Sequence, residues 1–344
     1  MSGTSLDGVD IAYCLLRFID GNWSFSIEAT QTVKYTAAWK KRLQQAHLAQ
    51  AEALLELHHA YGKYLGLLID AFIMKNKIRG IQYIASHGHT IFHQPEKGYT
   101  FQLGDGNAIH AACGIPVIYD FRSLDVTLGG QGAPLVPIGD KLLFGEYDAC
   151  LNLGGIANLS LAVNHHRKAF DICFVNMGLN YLAEEKNLTF DKNGKLAADG
   201  EINTTMLKAL TKGYEKLGKG RPSLSREIFE KHFLKILDKK IPVEDKLCTF
   251  VESIAIEIAK GFPAEKKLSV LCTGGGSFNS FLMYRLIEHF GNDVVLILPD
   301  AETVNFKEAL IFALLGILRV RGEVNCLKSV TGARQDNCGG VLVG

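Results

Sequence analysis

The eight cysteines form no CxxC pair and no metal-ligand spacing. That argues against a zinc site and fits reduced thiols in a cytoplasm. Charge is equally undistinguished. The formal net charge is +1 and no block of like charges occurs, so nothing suggests a nucleic-acid surface. The longest apolar run, ALIFALLGIL at 309–318, is too short to cross a bilayer. No basic segment precedes an apolar stretch at the N-terminus, so no signal peptide is expected. Neither GxxxxGK[ST] nor GxGxxG occurs, which removes the two commonest phosphate-loop signatures.

What is abundant is glycine, at 35 residues of 344, above the usual share of ~7%. The glycines cluster. MSGTSLDGVD opens the chain as a tight turn running into the β-prone VDIAYCLLRF (9–18). LNLGGIANLS (151–160) and LCTGGGSFN (271–279) repeat the design. A phosphate needs backbone N–H groups that approach without an intervening Cβ, and glycines beside hydroxyls supply them. One such turn is ordinary turn chemistry; three beside apolar strands favour a nucleotide cleft.

With 47% hydrophobic and 21% charged residues, the chain is that of a soluble globular protein of two domains. Strands and helices alternate. A hairpin is expected over Val9–Phe18 and Trp23–Lys34 around Asp20-Gly21-Asn22. A long helical stretch is expected from Ala38 to Lys75, with Leu54, Leu57, Tyr61, Leu65 and Leu68 at three- and four-residue spacing. Short strands follow at Ile81–Ser86 and Gly114–Asp120, each ending in polar residues, as α/β sheets build their sites. The strand–turn–strand units near residues 1 and 149 suggest a duplicated architecture. Leu310, Phe312, Leu314 and Leu315 read as core, and KGYEKLGKGR (212–221) as a solvated surface.

MSGTSLDGVD resembles the signature of the anhydro-N-acetylmuramic acid kinases, within the sugar kinase, heat-shock chaperone and actin superfamily. The likeness continues through SHGHTIFH (86–93), FQLGDGNAI (101–109), DFRSLDVTLGGQGAPLVP (120–137) and LNLGGIANLS. It resumes at FDKNGKLAADGEIN (190–203), LCTGGGSFNSFLMYRL (271–286), KEALIFALLG (307–316) and SVTGA (329–333). The resemblance implies an α/β fold of two actin-like ATPase domains (the ribonuclease H-like motif) around an ATP and sugar cleft. The expected domains are 1–125 plus about 306–344, and 126–305.

It also implies the chemistry. Family members open the 1,6-anhydro ring of anhydro-N-acetylmuramic acid with water and phosphorylate O6 from ATP, giving N-acetylmuramic acid 6-phosphate in peptidoglycan recycling. Phosphoryl transfer asks mainly for positioning and charge stabilisation. On this resemblance Gly3, Thr4, Ser5, Leu6, Asp7, Gly8, Val9 and Asp10 wrap the phosphates, and Asp7 is the candidate Mg²⁺ ligand. Gly154, Gly155 and Asn158 clamp the phosphates from the other half, and Gly274, Gly275, Gly276 and Asn279 hold the nucleoside. Asp171 matches the catalytic base. Arg122 and Glu308 match residues near the sugar, and His87, Thr90, Asp105 and Asn176 line the rest of its pocket. The partners implied are ATP, the anhydro sugar and a second copy of the chain as a homodimer, in the cytoplasm, with neither nucleic acid nor membrane.

Plainer readings stand beside these. An Asp at a strand end is a turn former, and Glu308 also reads as a first-turn helix carboxylate. His87, His89 and His93 have an HxH-x3-H spacing that could hold a metal. The chain also departs from the family. DTGPGN reads DICFVN at 171–176, so Cys173, Phe174 and Val175 replace two glycines and a proline. Side chains then stand where backbone would meet a ligand. His89 stands where the family commonly has glutamine. Family chains carry a strand residue or more ahead of the opening motif, so the expectation is a first strand cut short at Met1, or a start upstream of it. Two alternatives follow: a kinase for another amino or anhydro sugar, or a catalytically silent ATP-binding regulator.

Overall fold

The structure is a computed structural model. It describes every residue except 4–5, 164–165, 219–223 and 263–266, and only the backbone at 163 and 166. Thr4 and Ser5, two of the expected phosphate contacts, lie outside the described residues. In chain order the first strands are β1 (Gly8–Ile19), β2 (Asn22–Lys34), β3 (Ile84–Ala85), β4 (His89–Gln94), β5 (Tyr99–Leu103) and β6 (Val117–Tyr119). Then come β7 (Ala149–Leu153), β8 (Ile156–Val163), β9 (His166–Phe174), β10 (Leu268–Thr273), β11 (Val294–Ile297) and β12 (Val341–Val343). The chain forms two compact α/β units, Met1–Leu143 with Phe306–Gly344, and Phe144–Asn305.

In the first unit, β1 and β2 form an antiparallel hairpin closing at Ile19↔Asn22. Asp20 and Gly21 both take positive φ, 50° and 80°, as a two-residue turn matched to the strand twist requires. The expected helical stretch is divided into two helices, Ala37–Gln45 and Ala51–Asn76, joined by a short 3₁₀ turn. Ala49 and Gln50 are extended, with ψ of 144° and 160°. The break frees the first helix to bury Leu43 while the second buries Leu57, Tyr61, Leu65 and Phe72. The remaining strands order as β12-β6-β3 and β4-β5. Only Ile84–Ala85 of the expected 81–86 strand joins a ladder, against β6.

The first boundary falls after Leu143 rather than after residue 125. The helix Val136–Leu143 explains why. A Cβ on its Gly139 would sit 2.6 Å from Ile311, and its Asp140 pairs with Lys307 at 2.7 Å, both nearly devoid of solvent contact. Separating that pair would strand a buried charge.

A second buried carboxylate ties distant segments of this unit together. Asp125 is fully buried and accepts from Gly132 N (2.8 Å), Cys326 Sγ (3.1 Å), Thr331 Oγ1 (2.9 Å) and Asn337 Nδ2 (2.8 Å). The GGQGAP loop is thus held to the C-terminal segment. Asp125→Asn places an amide N–H₂ against one of these donors, so we expect a loss of about 1–3 kcal/mol. The urea midpoint measures it, and an unchanged midpoint contradicts the account.

The second unit is built on one five-stranded sheet, β11-β10-β7-β8-β9. The ladders β11–β10–β7 are parallel and β7–β8–β9 antiparallel. Its core gathers Leu151, Leu153 and Leu159 of the sheet with Phe250 and Ile254 of the helix Val243–Ala259. That helix is buried on nearly every side, and its buried Lys246, Glu252 and Glu257 are each ion-paired, with Glu185, Arg285 and Lys260. The helix Ala301–Arg321, which belongs to the first unit from Phe306 on, buries Leu310, Phe312, Leu314 and Leu315 as expected.

Candidate functional site

The opening turn is shaped by close approach. A Cβ on Gly8 would sit 2.4 Å from the Val33 carbonyl oxygen, so only glycine lets β1 start beside β2 there. Leu6 takes a left-handed φ of 58° and donates its N–H to Gly3 O at 3.3 Å. Asp7 is exposed, Val9 is buried, and the half-buried Asp10 accepts from Thr32 Oγ1 at 2.6 Å.

In the same unit Arg122 follows β6 and is half-buried. Its Nε and Nη2 donate to His87 Nε2 at 3.1 and 3.0 Å, and its Nη1 donates to Gly132 O at 2.6 Å. On the far side of the imidazole, His87 Nδ1 meets Gly88 O at 3.0 Å. A carbonyl only accepts, so the proton sits on Nδ1 and Nε2 is the acceptor for Arg122. Burial, then the neighbouring guanidinium, hold His87 well below the ordinary histidine range. Glu308 is exposed to solvent. The surrounding protein raises its carboxyl, and the charge of Arg122 partly offsets this. Arg122 and His87 therefore form a hydrogen-bonded pair, and the charges of Arg122 and Asp10 both act on Glu308.

Other sugar-side candidates are engaged elsewhere. Asp105 caps the helix Gly106–Cys113 through Asn107 N (2.9 Å) and pairs with His59 (3.2 Å). Burial opposes its ionisation, but those bonds hold its carboxyl below the usual range. Thr90 lies half-buried in β4, opposite Gln102. The three histidines do not converge. His89 Nδ1 bonds Ser2 Oγ at 2.9 Å and His93 Nδ1 bonds Thr100 Oγ1 at 3.1 Å. Burial lowers His89 to about 4. Among the described residues no group of His, Cys, Asp or Glu is arranged to hold a metal.

In the second unit the β7–β8 turn, the start of the helix Asn176–Ala183 and the turn after β10 meet. Val175 N and Met177 N donate to Gly155 O, at 2.9 and 3.2 Å, and Asn176 N donates to Gly154 O at 3.2 Å. Asn176 Nδ2 donates to Leu153 O at 3.2 Å. Gly274 has φ +84°, and a Cβ there would lie 2.8 Å from Leu153 O. By contrast a Cβ on Gly155 meets nothing within 4 Å, and one on Gly275 meets only Asn176 Nδ2 at 3.6 Å. Neither glycine is required by its protein neighbours, and both leave backbone open to an incoming anion. Asn279 caps the helix Ser280–Phe290 by accepting from Leu282 N at 3.0 Å. Gly276 is buried against Leu153.

The model of the anhydro-N-acetylmuramic acid kinase family matches residues 1–343. The chain belongs to that family. A relative so named from Sulfurovum sp. (strain NBC37-1) is 33% identical over 100% of this chain and 98% of its own. Another from Vibrio parahaemolyticus is 35% identical over 99% of this chain and 96% of its own. Among solved structures, component A of the (R)-2-hydroxyglutaryl-CoA dehydratase of Acidaminococcus fermentans aligns at 13% identity and a TM-score of 0.40. It covers 88% of this chain and 93% of its own, and a likeness at that level carries no argument.

The anhydro-N-acetylmuramic acid kinase motif that this chain alters is not a loop here. Asp171 sits inside β9, which runs on through Phe174, instead of opening a turn. Ile172, Cys173, Phe174 and Val175 are all buried. The Phe174 ring packs against Tyr214, Phe229 and Phe233, and Phe174 N donates to Tyr214 OH at 3.1 Å. Tyr214 belongs to the stretch read as a solvated surface; it is core, on the buried face of the helix Thr204–Glu215 with Met206 and Leu210. Residues 219–221 of that stretch lie outside the described residues.

The Asp171 carboxylate is held from both sides. Asn158 Nδ2 donates to Oδ1, and Leu224 N donates to Oδ2 at 2.8 Å. Burial raises its pKa, and these two donors partly counter the rise. Asn158, expected on the phosphates, therefore points its amide at Asp171.

No helix among the described residues is long and apolar enough to cross a membrane.

Proposed function

We propose that the chain hydrolyses the anhydro ring of 1,6-anhydro-N-acetylmuramic acid and phosphorylates O6 at the expense of ATP, yielding N-acetylmuramic acid 6-phosphate for peptidoglycan recycling. The match of the family model over residues 1–343 carries this reading. The Arg122–His87 pair, with Glu308 under the charge of Arg122, and the half-buried Asp171 support it chemically. Asp171 takes a proton from water as the water oxygen attacks the anomeric carbon. The bond from that carbon to O6 breaks, O6 receives the γ-phosphoryl group, and ADP leaves. A carboxylate whose pKa is raised by burial suits a base working near neutrality. Arg122, with two N–H bonds left over, and Glu308 serve the sugar.

In the first unit the opening turn with Asp7 and Asp10 would meet the ATP phosphates; in the second, Gly154 and the open backbone at Gly155 and Gly275 are the candidates for contact with ATP. Mg²⁺ favours one or two carboxylates plus substrate phosphates and retained waters. A single exposed Asp7 fits that donor set, and the ion would neutralise charge on the transferring phosphoryl group. A homodimer and a cytoplasmic location belong to the same reading.

The test is incubation with the anhydro sugar, ATP and magnesium, with products followed by mass. The expected product has gained one water and one phosphoryl group, with one ADP released per sugar. ATP consumed without a sugar product, or not consumed at all, overturns the reading. A different amino or anhydro sugar is the second reading, favoured by one observation: Cys173, Phe174 and Val175 fill the position of the family's glycine loop. Turnover confined to another sugar in a panel would select it.

A further inference from the structure

The geometry points to His87 as a positioning residue: a neutral acceptor that braces one edge of Arg122 so that its other edge is presented to an oxyanion of the substrate. This rests on the kinase reading above and changes the part His87 plays in it, from a sugar contact to a support of the residue that makes one.

A guanidinium carries five N–H bonds in a fixed fork. In Arg122 the Nε–H and one Nη2–H converge on His87 Nε2, and one Nη1–H goes to Gly132 O. Two N–H bonds, one on each terminal nitrogen, have no partner among the described residues. Terminal N–H bonds of a guanidinium are donors suited to a carboxylate or phosphoryl oxygen.

His87 can do this only while it lacks a proton on Nε2, and three features keep it so. Gly88 O fixes the proton on Nδ1 at 3.0 Å. The His87 ring is buried, and its edge packs on Phe312 with centroids 4.9 Å apart. The cation it braces opposes a second positive charge beside it. Gly132 is itself held by the fully buried Asp125 through its N–H. Both contacts of Arg122 therefore rest on rigid supports, as a preorganised site requires. A side chain reaching for the sugar would keep its acceptor lone pair for the sugar, and His87 Nε2 has given that lone pair to Arg122.

Two variants separate bracing from packing. His87→Phe keeps a ring against Phe312 and removes the acceptor; His87→Gln returns an acceptor close to the Nε2 position. The first readout is solvent exchange of the Arg122 Nε–H by ¹⁵N NMR, which needs no turnover. Exchange is slow in the wild type and in His87→Gln, and fast in His87→Phe. The second is kinetic. In His87→Phe, kcat/KM for the sugar falls about tenfold to a hundredfold, the range of a hydrogen bond to a charged group. The loss appears mainly in KM for the sugar, leaves KM for ATP unchanged, and shrinks to a few-fold in His87→Gln. In an Arg122→Lys background the same His87→Phe change costs little more, because the partner it braces is gone.

Unchanged exchange and kinetics in His87→Phe overturn the proposal. So does His87→Gln failing as badly as His87→Phe with equal thermal stability. If the wild type turns over no anhydro sugar, the kinase reading fails, while the exchange measurement still decides whether His87 braces Arg122.

Discussion

Replacing Asp171 by asparagine is expected to lower turnover by about 10²–10⁴-fold, the range of a lost general base. Asparagine matches the shape of the side chain and still accepts one of the two donors, Asn158 Nδ2 or Leu224 N, that hold the carboxylate. The other donor then faces an N–H₂ group, costing about 1–3 kcal/mol of stability, so the variant's denaturation curve belongs beside its kinetics. The pH profile carries independent information. Burial raises the Asp171 pKa and the ionised form is the base. Activity therefore falls as pH drops through a value above that of an ordinary carboxylate, and recovers as pH rises. For stability the sign is reversed. The contribution of the protonated group is present at low pH and is lost as pH rises through the same value. A folded Asp171→Asn variant with wild-type turnover would remove Asp171 from the mechanism.

The largest expected loss of stability is at Phe174. Truncation to alanine should cost about 3–5 kcal/mol, the range for a fully buried aromatic. The ring is enclosed by Tyr214, Phe229 and Phe233, with centroids at 6.4, 5.1 and 5.1 Å. Nothing on that list can swing in to fill the space, because each is itself packed in the core of the second unit. Urea denaturation with a two-unit fit measures the effect on the second unit, and a loss below about 1 kcal/mol contradicts it. The consequence for this family member is that a glycine loop cannot be restored here by exchanging letters alone. The segment has become a strand whose side chains are structural.

Where the determinants were local, the sequence was readable. The β1–β2 hairpin followed from Asp20-Gly21, because two residues able to take positive φ between apolar runs leave few other choices. The turn at Gly274–Gly276 followed by a helix was legible for the same reason, with Asn279 as its cap. The break at Ala49–Gln50 was not legible, since neither glycine nor proline marks it and the apolar spacing runs on. The place of Asp171 inside a strand rather than at its end is written in its neighbours, since Ile172, Phe174 and Val175 are strand formers where the family motif has a glycine turn. Tyr214 was hidden by the lysines around it, yet it falls four residues after Leu210 on one helix face. The pairing of His87 with Arg122 joins residues 35 positions apart and is set only by tertiary structure.

The division of the chain also sets an order of events during synthesis. The second unit is continuous, Phe144–Asn305, whereas the first needs Phe306–Gly344 as well as Met1–Leu143. At about 5–20 residues per second, the last segment reaches the ribosome exit several seconds after the second unit's sequence is finished. Until then Asp125 is without Cys326, Thr331 and Asn337, three of its four donors. The nascent chain thus has the whole sequence of the later unit before that of the earlier one is complete, and the earlier one carries the carboxylate whose donors arrive last.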